Sequence, residues 1–291
     1  MNRMTSLTVG DDAVGEITIG SGRPLVFIGG PCAIENEGHT LMMAERLKAI
    51  SDRLNLPFIF KACYDKDCRS SMDSFLGIGL EEGLRILEKV RNEIGVPITS
   101  DVSSADWMEP TAQVVDLLQI PAYLCRQTHL LLAAGNTGKP INIKKGQFMS
   151  PWNMKNSARK IESTGNSQIL LSERGTFFGY NMLINDFRSF KIMQDIGYPA
   201  CFDATHSIQL PTSLGVISGG QREFIPSLVR GAVAAGVEAL FMEVHDDPAN
   251  ALSDSGTQLH LQYAERVLSE AKVMHATRLE LMEKWGDEDV E

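Results

Sequence analysis

From residue 24 onward, short apolar runs and longer amphipathic stretches take turns along the chain. The apolar runs read as buried strands at 24–29 (PLVFIG), 57–63 (PFIFKAC), 97–102 (PITSDV), 117–123 (LLQIPAY), 140–146 (PINIKKG), 168–175 (QILLSERG), 199–206 (PACFDATH) and 239–245 (ALFMEVH). The stretches between them carry apolar residues at helical spacing. Leu41, Met42, Ala44, Leu47 and Ile50 lie in 38–54, and Leu80, Leu84, Leu87 and Val90 in 79–94, which stops at Gly95. Further helices are predicted over 104–115, 126–134, 151–163, 185–196, 222–235 and 258–284, the last lacking clear caps and readable as two helices. Ahead of all this, Leu7 and Val9, then Val14, Ile17 and Ile19, alternate weakly around Gly10-Asp11-Asp12, which predicts a small β-hairpin.

Eight strand–helix units in about 250 residues is the count of an α/β (β/α)8 TIM barrel. The open doubly wound sheet is the alternative, but it places a glycine-rich GxGxxG turn after its first strand. Gly29-Gly30-Pro31 does not have that form, so the barrel is preferred. The chain divides into a hairpin extension (1–23), one barrel domain (24–284) and a charged tail (285–291).

Charge sharpens the picture. The formal net charge is −10, which disfavours nucleic acid and anionic membranes as partners. No apolar run reaches the roughly 20 residues of a membrane helix. The five cysteines have no CxxC pair, as expected of reduced, cytoplasmic thiols.

In a barrel, chemistry gathers where strands end and loops begin. Those positions hold Lys61, Lys66, Arg69, Arg126, Lys144, Lys145 and Arg174. One such lysine alone is most simply a solvated charge. Seven cations near one face of an acidic protein would repel one another unless anions sat among them, and the number suits two phosphorylated or carboxylated substrates. A second group, Cys32, His206, Glu243 and Asp254, mixes thiolate, imidazole and carboxylate. Closure of the barrel would set the first strand beside the eighth and bring these residues together. Such a set suits Fe²⁺, Zn²⁺, Mn²⁺ or Co²⁺. Taken singly, Cys32 could equally be core and Asp254 a loop cap.

With those residues in view, the chain resembles the 3-deoxy-D-manno-octulosonate 8-phosphate synthases over about residues 24–265. The matching motifs are GGPCAIE, FKACYDKDCRSS, GLEEG, QIPAYLCRQT, INIKKGQFMSPW, SERGTFFGYNML, FDATHSIQLP, SGGQREF and ALSDSGTQL. The resemblance implies a homotetrameric barrel that condenses phosphoenolpyruvate with D-arabinose 5-phosphate, releasing phosphate, for lipopolysaccharide biosynthesis. Cys in GPCAIE, where the metal-free class has Asn, implies the metal-dependent class, with Cys32, His206, Glu243 and Asp254 as ligands. It also implies that Lys61, Lys66, Gln119, Lys144 and Arg174 hold phosphoenolpyruvate. Arg69 and Ser70 would hold the aldose phosphate, with Arg126 entering from a neighbouring subunit. Asp101 would lie at the active-site floor, and Lys144 would be the proton donor to the aldehyde oxygen.

The departures fall mostly on the acceptor side. Cys68 stands where the family has Asn in KANRSS, Cys63 replaces a serine, and Leu76 replaces an arginine; Ser103-Ser104, His129 and Asp246 also differ from the family pattern. They raise the alternatives of another aldose phosphate, as in the heptulosonate phosphate synthases, or a non-catalytic sugar-phosphate sensor. A Schiff-base aldolase using Lys144 or Lys145 is a third.

Overall fold

The computed structural model describes residues 5–67, 74–214 and 217–286. A β-hairpin comes first, β1 (Leu7–Val9) against β2 (Ile17–Ile19). Then come β3 (Val26–Gly30), α1 (Glu37–Leu54), β4 (Phe58–Lys61), α2 (Leu80–Ile94), β5 (Ile98–Asp101), α3 (Met108–Ala112), β6 (Leu117–Ile120), α4 (Thr128–Asn136), β7 (Ile141–Lys144) and α5 (Met154–Glu162). The chain continues with β8 (Ile169–Glu173), β9 (Thr176–Phe177), β10 (Leu183–Ile184), α6 (Arg188–Ile196), β11 (Ala200–Asp203), β12 (Gln209–Leu214), β13 (Ile217–Gly220), α7 (Ile225–Ala234), β14 (Ala239–His245), β15 (Leu259–His260) and α8 (Leu261–Trp285).

Strands β3, β4, β5, β6, β7, β8, β11 and β14 pair in parallel in that order, and β14 pairs back onto β3. The sheet is therefore closed, and the expected (β/α)8 barrel with its N-terminal hairpin is what forms. Alternation along each strand sorts the side chains. In β3, Phe27 joins the layer between barrel and helices, while Val26 and Ile28 point inward with Ile59, Leu117, Leu170, Cys201, Ala239 and Phe241. Leu7, Val9 and Ile19 of the hairpin pack on this same inner cluster. The hairpin thus closes the end of the barrel where the strands begin. Asp11 of its turn pairs with Arg91 of α2 at 2.5 Å, and Arg91 also holds Asp116 at 2.9 Å.

The prolines that precede the strands have a structural use. Proline has no N–H to offer a ladder, but the carbonyls of Pro57, Pro97, Pro140 and Pro199 accept from Phe27, Phe60, Leu118 and Leu171 on the neighbouring strand. Three of the predicted helices begin as 3-10 turns, at Ala105–Trp107, Pro151–Asn153 and Arg222–Phe224. The final helix is single and not double: α8 runs unbroken for 25 residues, and the His260 ring accepts from the Gln262 N–H at its start. The two-stranded ribbons β9–β10 and β12–β13 were not anticipated; they rise from the loops after β8 and β11.

Candidate active site

The inner face of the barrel changes from apolar to polar along the strands. Above the apolar plug, Asn142 Nδ2 donates to Gln119 Oε1 at 2.9 Å, Ser172 Oγ to Asn142 Oδ1 at 2.6 Å, and Gln119 Nε2 to Asp101 Oδ1 at 2.7 Å. Buried polar groups must be satisfied, and this chain of side chains meets the need while fixing Asp101 in place. The Cys63 thiol donates to the other oxygen of Asp101 at 2.7 Å.

At the mouth, two lysines are pinned by carboxylates. Lys61 Nζ lies 2.7 Å from Glu243 Oε1 and 3.1 Å from the Cys32 carbonyl oxygen. Lys144 Nζ lies 2.6 Å from Asp203 Oδ2 and 3.7 Å above the centre of the Phe241 ring. Burial opposes the charge of Lys61, but the acidic groups around it, Cys63, Glu243 and Asp101, outweigh burial and push its pKa up. Burial would raise the pKa of Asp101, yet Lys61, Lys144 and Lys66 drive it well below the usual carboxylate range. Arg174 is buried. Its Nη2 donates to Gln209 at 2.6 Å, while Nη1 has no hydrogen-bond partner among the described residues. Burial pulls the Arg174 pKa down, the mark of a guanidinium whose charge is under-compensated.

Beside these cations sits the mixed donor set. Ligand atoms of Cys32, Glu243 and Asp254 all lie within 4.8 Å of one another. Cys32 Sγ is 3.3 Å from Asp254 Oδ2, and His206 Nε2 is 3.6 Å from Glu243 Oε2 and 3.5 Å from Asp254 Oδ2. Closure of the barrel is what brings them together. Glu243 pairs with Gly30 across the β14–β3 seam, and the Glu243 N–H donates to Thr205 Oγ1 at 3.0 Å, one residue before His206. The Gln258 side chain accepts from the Cys32 N–H at 3.0 Å and donates to the Ser253 carbonyl at 2.8 Å, clamping the thiol loop to the loop of Asp254. Gly30 is required for this approach. A Cβ there would lie 2.0 Å from the Lys61 carbonyl oxygen, inside any tolerable contact.

Two features suit these donors to a metal ion. Glu243 Oε2 is buried and has no hydrogen-bond partner among the described residues, although it faces His206. The His206 ring is also oriented as a ligand would be. Its Nδ1 lies 2.7 Å from Asp203 Oδ2, so the Nδ1 proton is held by a carboxylate and the Nε2 lone pair faces Glu243 and Asp254. Burial disfavours imidazolium at His206, but Asp203 and Glu243 outweigh it and raise the pKa. Burial, with Asp254 and Glu243 close by, pushes the Cys32 thiol well up. That position would become a thiolate only with a cation beside it.

Comparison with known proteins gives the same direction. The profile of the DAHP synthetase I family matches residues 5–279. The chain belongs to that family. It is 54% identical over 264 residues to a 2-dehydro-3-deoxyphosphooctonate aldolase of Geotalea uraniireducens, spanning 91% of this chain and 97% of the relative. A protein of the same name from Citrifermentans bemidjiense is 55% identical over 263 residues, 90% of this chain and 96% of the relative. Another, from Geobacter sulfurreducens, is 51% identical over 263 residues, 90% and 97% of the two chains.

Within this family member, some of the expected cations hold other places. Lys145 does not face the mouth. It is fully buried behind β7, 3.4 Å from Glu173 Oε1, and donates to the Met149 carbonyl at 3.2 Å and Thr176 Oγ1 at 3.0 Å. It ties the loops after β7 and β8 together, so it belongs to neither the anion cluster nor a Schiff-base mechanism. The reason is alternation: Lys144 faces inward, so the next residue faces away. Arg126 is exposed in the loop after β6, and its carbonyl accepts from Lys160 Nζ at 2.7 Å. Arg69, Ser70 and Cys68 lie outside the described residues, as does the tail from 287. Lys66 is half-buried just past β4. Burial works against its charge, but Cys32, Cys63, Glu243 and Asp254 lie close enough to raise its pKa. Asp203, a polar strand-end residue to which the sequence reading gives no role, holds both Lys144 and His206. The signal was available in Asp-Ala-Thr-His, which places an acid three residues before an imidazole.

Proposed function

We propose that the protein is a metal-dependent 3-deoxy-D-manno-octulosonate 8-phosphate synthase, a transferase that joins phosphoenolpyruvate to D-arabinose 5-phosphate and water, releasing phosphate. The relatives' name refers to the same class of phosphorylated eight-carbon sugar acid. One observation carries the reading most directly. Two buried polar atoms with no hydrogen-bond partner among the described residues sit at one barrel mouth: Arg174 Nη1, which calls for an anion, and Glu243 Oε2, which calls for a cation.

The residues divide the work. Arg174, Lys61 and Lys66 hold the phosphate and carboxylate of phosphoenolpyruvate and offset anion–anion repulsion, about 4 kcal/mol per close pair at an effective dielectric of 20. Gln119 supports this by holding Asp101, since its own amide is already engaged on both sides. Arg69 and Ser70 take the aldose phosphate. As C3 of phosphoenolpyruvate adds to the aldehyde carbon, Lys144 gives the proton from Nζ to the aldehyde oxygen. Positive charge then develops at C2, where the ionised Asp101 offsets it. Water adds at C2 and passes a proton back to the neutral Lys144 amine, and phosphate leaves by C–O cleavage. Cys32, His206, Glu243 and Asp254 hold the divalent ion. When bound, it supplies Lewis acidity and lets Cys32 stand as thiolate.

The catalytic unit is the barrel of residues 24–284. A homotetramer, to which Arg126 would contribute across subunits, is supported by the exposed Tyr123, Phe148 and Trp152 on the loops after β6 and β7 and by the exposed Phe178 beyond β9. A cytoplasmic site of action is supported by the unpaired Cys32, Cys63, Cys125 and Cys201. None of the described helices is long and apolar enough to cross a membrane.

Phosphate release from phosphoenolpyruvate with arabinose 5-phosphate tests the reading. Activity should disappear on chelation and return with Zn²⁺, Mn²⁺, Co²⁺ or Fe²⁺. Full turnover after complete chelation would remove the metal from the reaction. Turnover only with a different aldose phosphate would reassign the acceptor.

A further inference from the structure

A second cluster of metal-binding side chains lies on the same rim, made of residues that the proposed reaction does not use. Asn36 caps α1, its side chain accepting from the His39 N–H at 2.9 Å, so Glu35 and His39 are placed on either side of the helix start. His245 ends β14 and Asp246 follows it. The ligand atoms of Glu35, His39 and His245 all lie within 4.8 Å of one another. His245 Nε2 is 3.2 Å from Glu35 Oε1, His39 Nε2 is 3.0 Å from Asp246 Oδ1, and His245 Nδ1 is 3.3 Å from the same Asp246 oxygen. The two imidazole rings are 4.6 Å apart, tilted by 36°.

We propose that Glu35, His39 and His245 form a second site for a divalent transition-metal ion of the zinc, cobalt or nickel type, with Asp246 holding the ring nitrogens that do not face the ion. Three observations support this. Ligands about 2.0–2.1 Å from a tetrahedral ion stand about 3.3 Å from each other, and Glu35 Oε1 and His245 Nε2 are already 3.2 Å apart. Two imidazoles and a carboxylate suit such an ion, whereas calcium needs six or more oxygens. Finally, hydrogen bonding inside the cluster leaves one donor atom over. His39 Nδ1 is buried and has no partner among the described residues. An ion would take up that nitrogen while Asp246 holds Nε2.

The position gives the ion a purpose. Glu35 Oε1 also accepts from the Leu252 N–H at 2.9 Å, so the cluster joins the start of α1 to the loop that carries Ser253 and Asp254. An ion here clamps that loop from outside the mouth, sharing no ligand with the Cys32 group.

Co²⁺ is the probe, titrated into the full-length protein after chelation, with bound metal counted by elemental analysis and absorption followed. Wild type should bind one Co²⁺ with a near-ultraviolet thiolate band and a second with only weak visible bands. Cys32→Ser should lose the thiolate band and keep the second ion. His39→Asn should keep the thiolate band and lose affinity at the second site by about tenfold or more. Glu35→Gln should behave like His39→Asn, and it decides the matter if circular dichroism shows that His39→Asn has not folded. The proposal is overturned if wild type binds a single Co²⁺, or if folded Glu35→Gln binds both ions as wild type does.

Discussion

Asp203→Asn is the substitution that most sharply separates structural from chemical support in the mouth. Asp203 is fully buried, and one of its oxygens receives both Lys144 Nζ at 2.6 Å and His206 Nδ1 at 2.7 Å. Burial would raise its pKa, but His206 and Lys144 hold it far below the usual carboxylate range. Asn is nearly isosteric, so little packing changes. The charge and the proton pattern change completely. Lys144 loses its counter-ion inside the protein, and breaking one side of a buried pair costs about 3–5 kcal/mol. At roughly 2–4 °C per kcal/mol for a chain of this size, the melting temperature in chelator should fall by about 6–20 °C. An amide that donates to His206 Nδ1 would also move the ring proton to Nε2, the nitrogen that faces Glu243 and Asp254. Loss of such a supporting carboxylate lowers metal affinity by about 10–100-fold. Competition for Zn²⁺ with a chromogenic chelator reads that number directly. Lys144→Met is the control. It removes the ammonium but keeps the Asp203–His206 contact, so catalysis should fall while Zn²⁺ affinity holds. If Asp203→Asn binds Zn²⁺ as tightly as wild type, His206 is not oriented as a ligand by Asp203 and the reasoning fails.

Three further outcomes follow from single contacts. Arg174→Met should raise the KM for phosphoenolpyruvate by about 10–100-fold, the worth of hydrogen bonds to a charged group; steady-state kinetics showing an unchanged KM would take Arg174 out of the donor site. Gly30→Ala should destabilise the protein by about 1–3 kcal/mol, because the Cβ meets a backbone oxygen that cannot turn aside, and a denaturant midpoint equal to wild type contradicts that. Glu238, buried where β11 and β14 begin, has its carboxyl pushed up from 4.5 to about 7, chiefly by burial. Its neutral form therefore stabilises the fold fully below about pH 4.5, and that contribution is lost as pH rises through about 7. The displacement corresponds to about 3 kcal/mol. Glu238→Gln should accordingly gain stability relative to wild type between pH 6 and 9, as about 1–3 kcal/mol in urea titrations; parallel pH profiles for the two proteins would refute the assignment.

The barrel was legible because its two periodicities are written in different residues. Phe27, Phe58 and Phe60 pack outward under helices, while Val26, Ile28 and Ile59 fill the inside. A strand covered on both faces reads as an unbroken apolar run, and eight such runs at even spacing leave few alternatives. The ribbons β9–β10 and β12–β13 were not legible for the complementary reason. They stand outside the core, so burial imposes no pattern on them. Phe177, Phe178 and Tyr180 are exposed aromatics that hydropathy alone places in no element. The hairpin was visible as alternation, but its role as the barrel's end plug was not. That depends on which end of the closed sheet it meets, and only the three-dimensional packing of Leu7, Val9 and Ile19 states it.

The site was legible in proportion to how far each residue depends on alternation alone. Lys61, Lys144 and Glu243 lie on strands that a period of two aims inward, and they do meet at the mouth. Lys145 has the same residue type and nearly the same sequence position as Lys144, yet it faces Glu173 on the other side of the sheet. Counting cations near a strand end cannot separate the two; assigning each one a face can. The donor set required one further step, closure. Cys32 and Glu243 are 211 positions apart, and nothing local links them. The link is the parallel register that sets Gly30 opposite Glu243, together with a glycine that lets the chain pass against Lys61. The same step carries over to the second cluster. Glu35 and His39 follow Cys32 by a few residues, and His245 and Asp246 follow Glu243. Each seam-crossing pair at the first site is therefore followed by another just beyond it. A seam that gathers one set of ligands from β3 and β14 is placed to gather a second, and Glu35, His39 and His245 supply the side chains with which it does so.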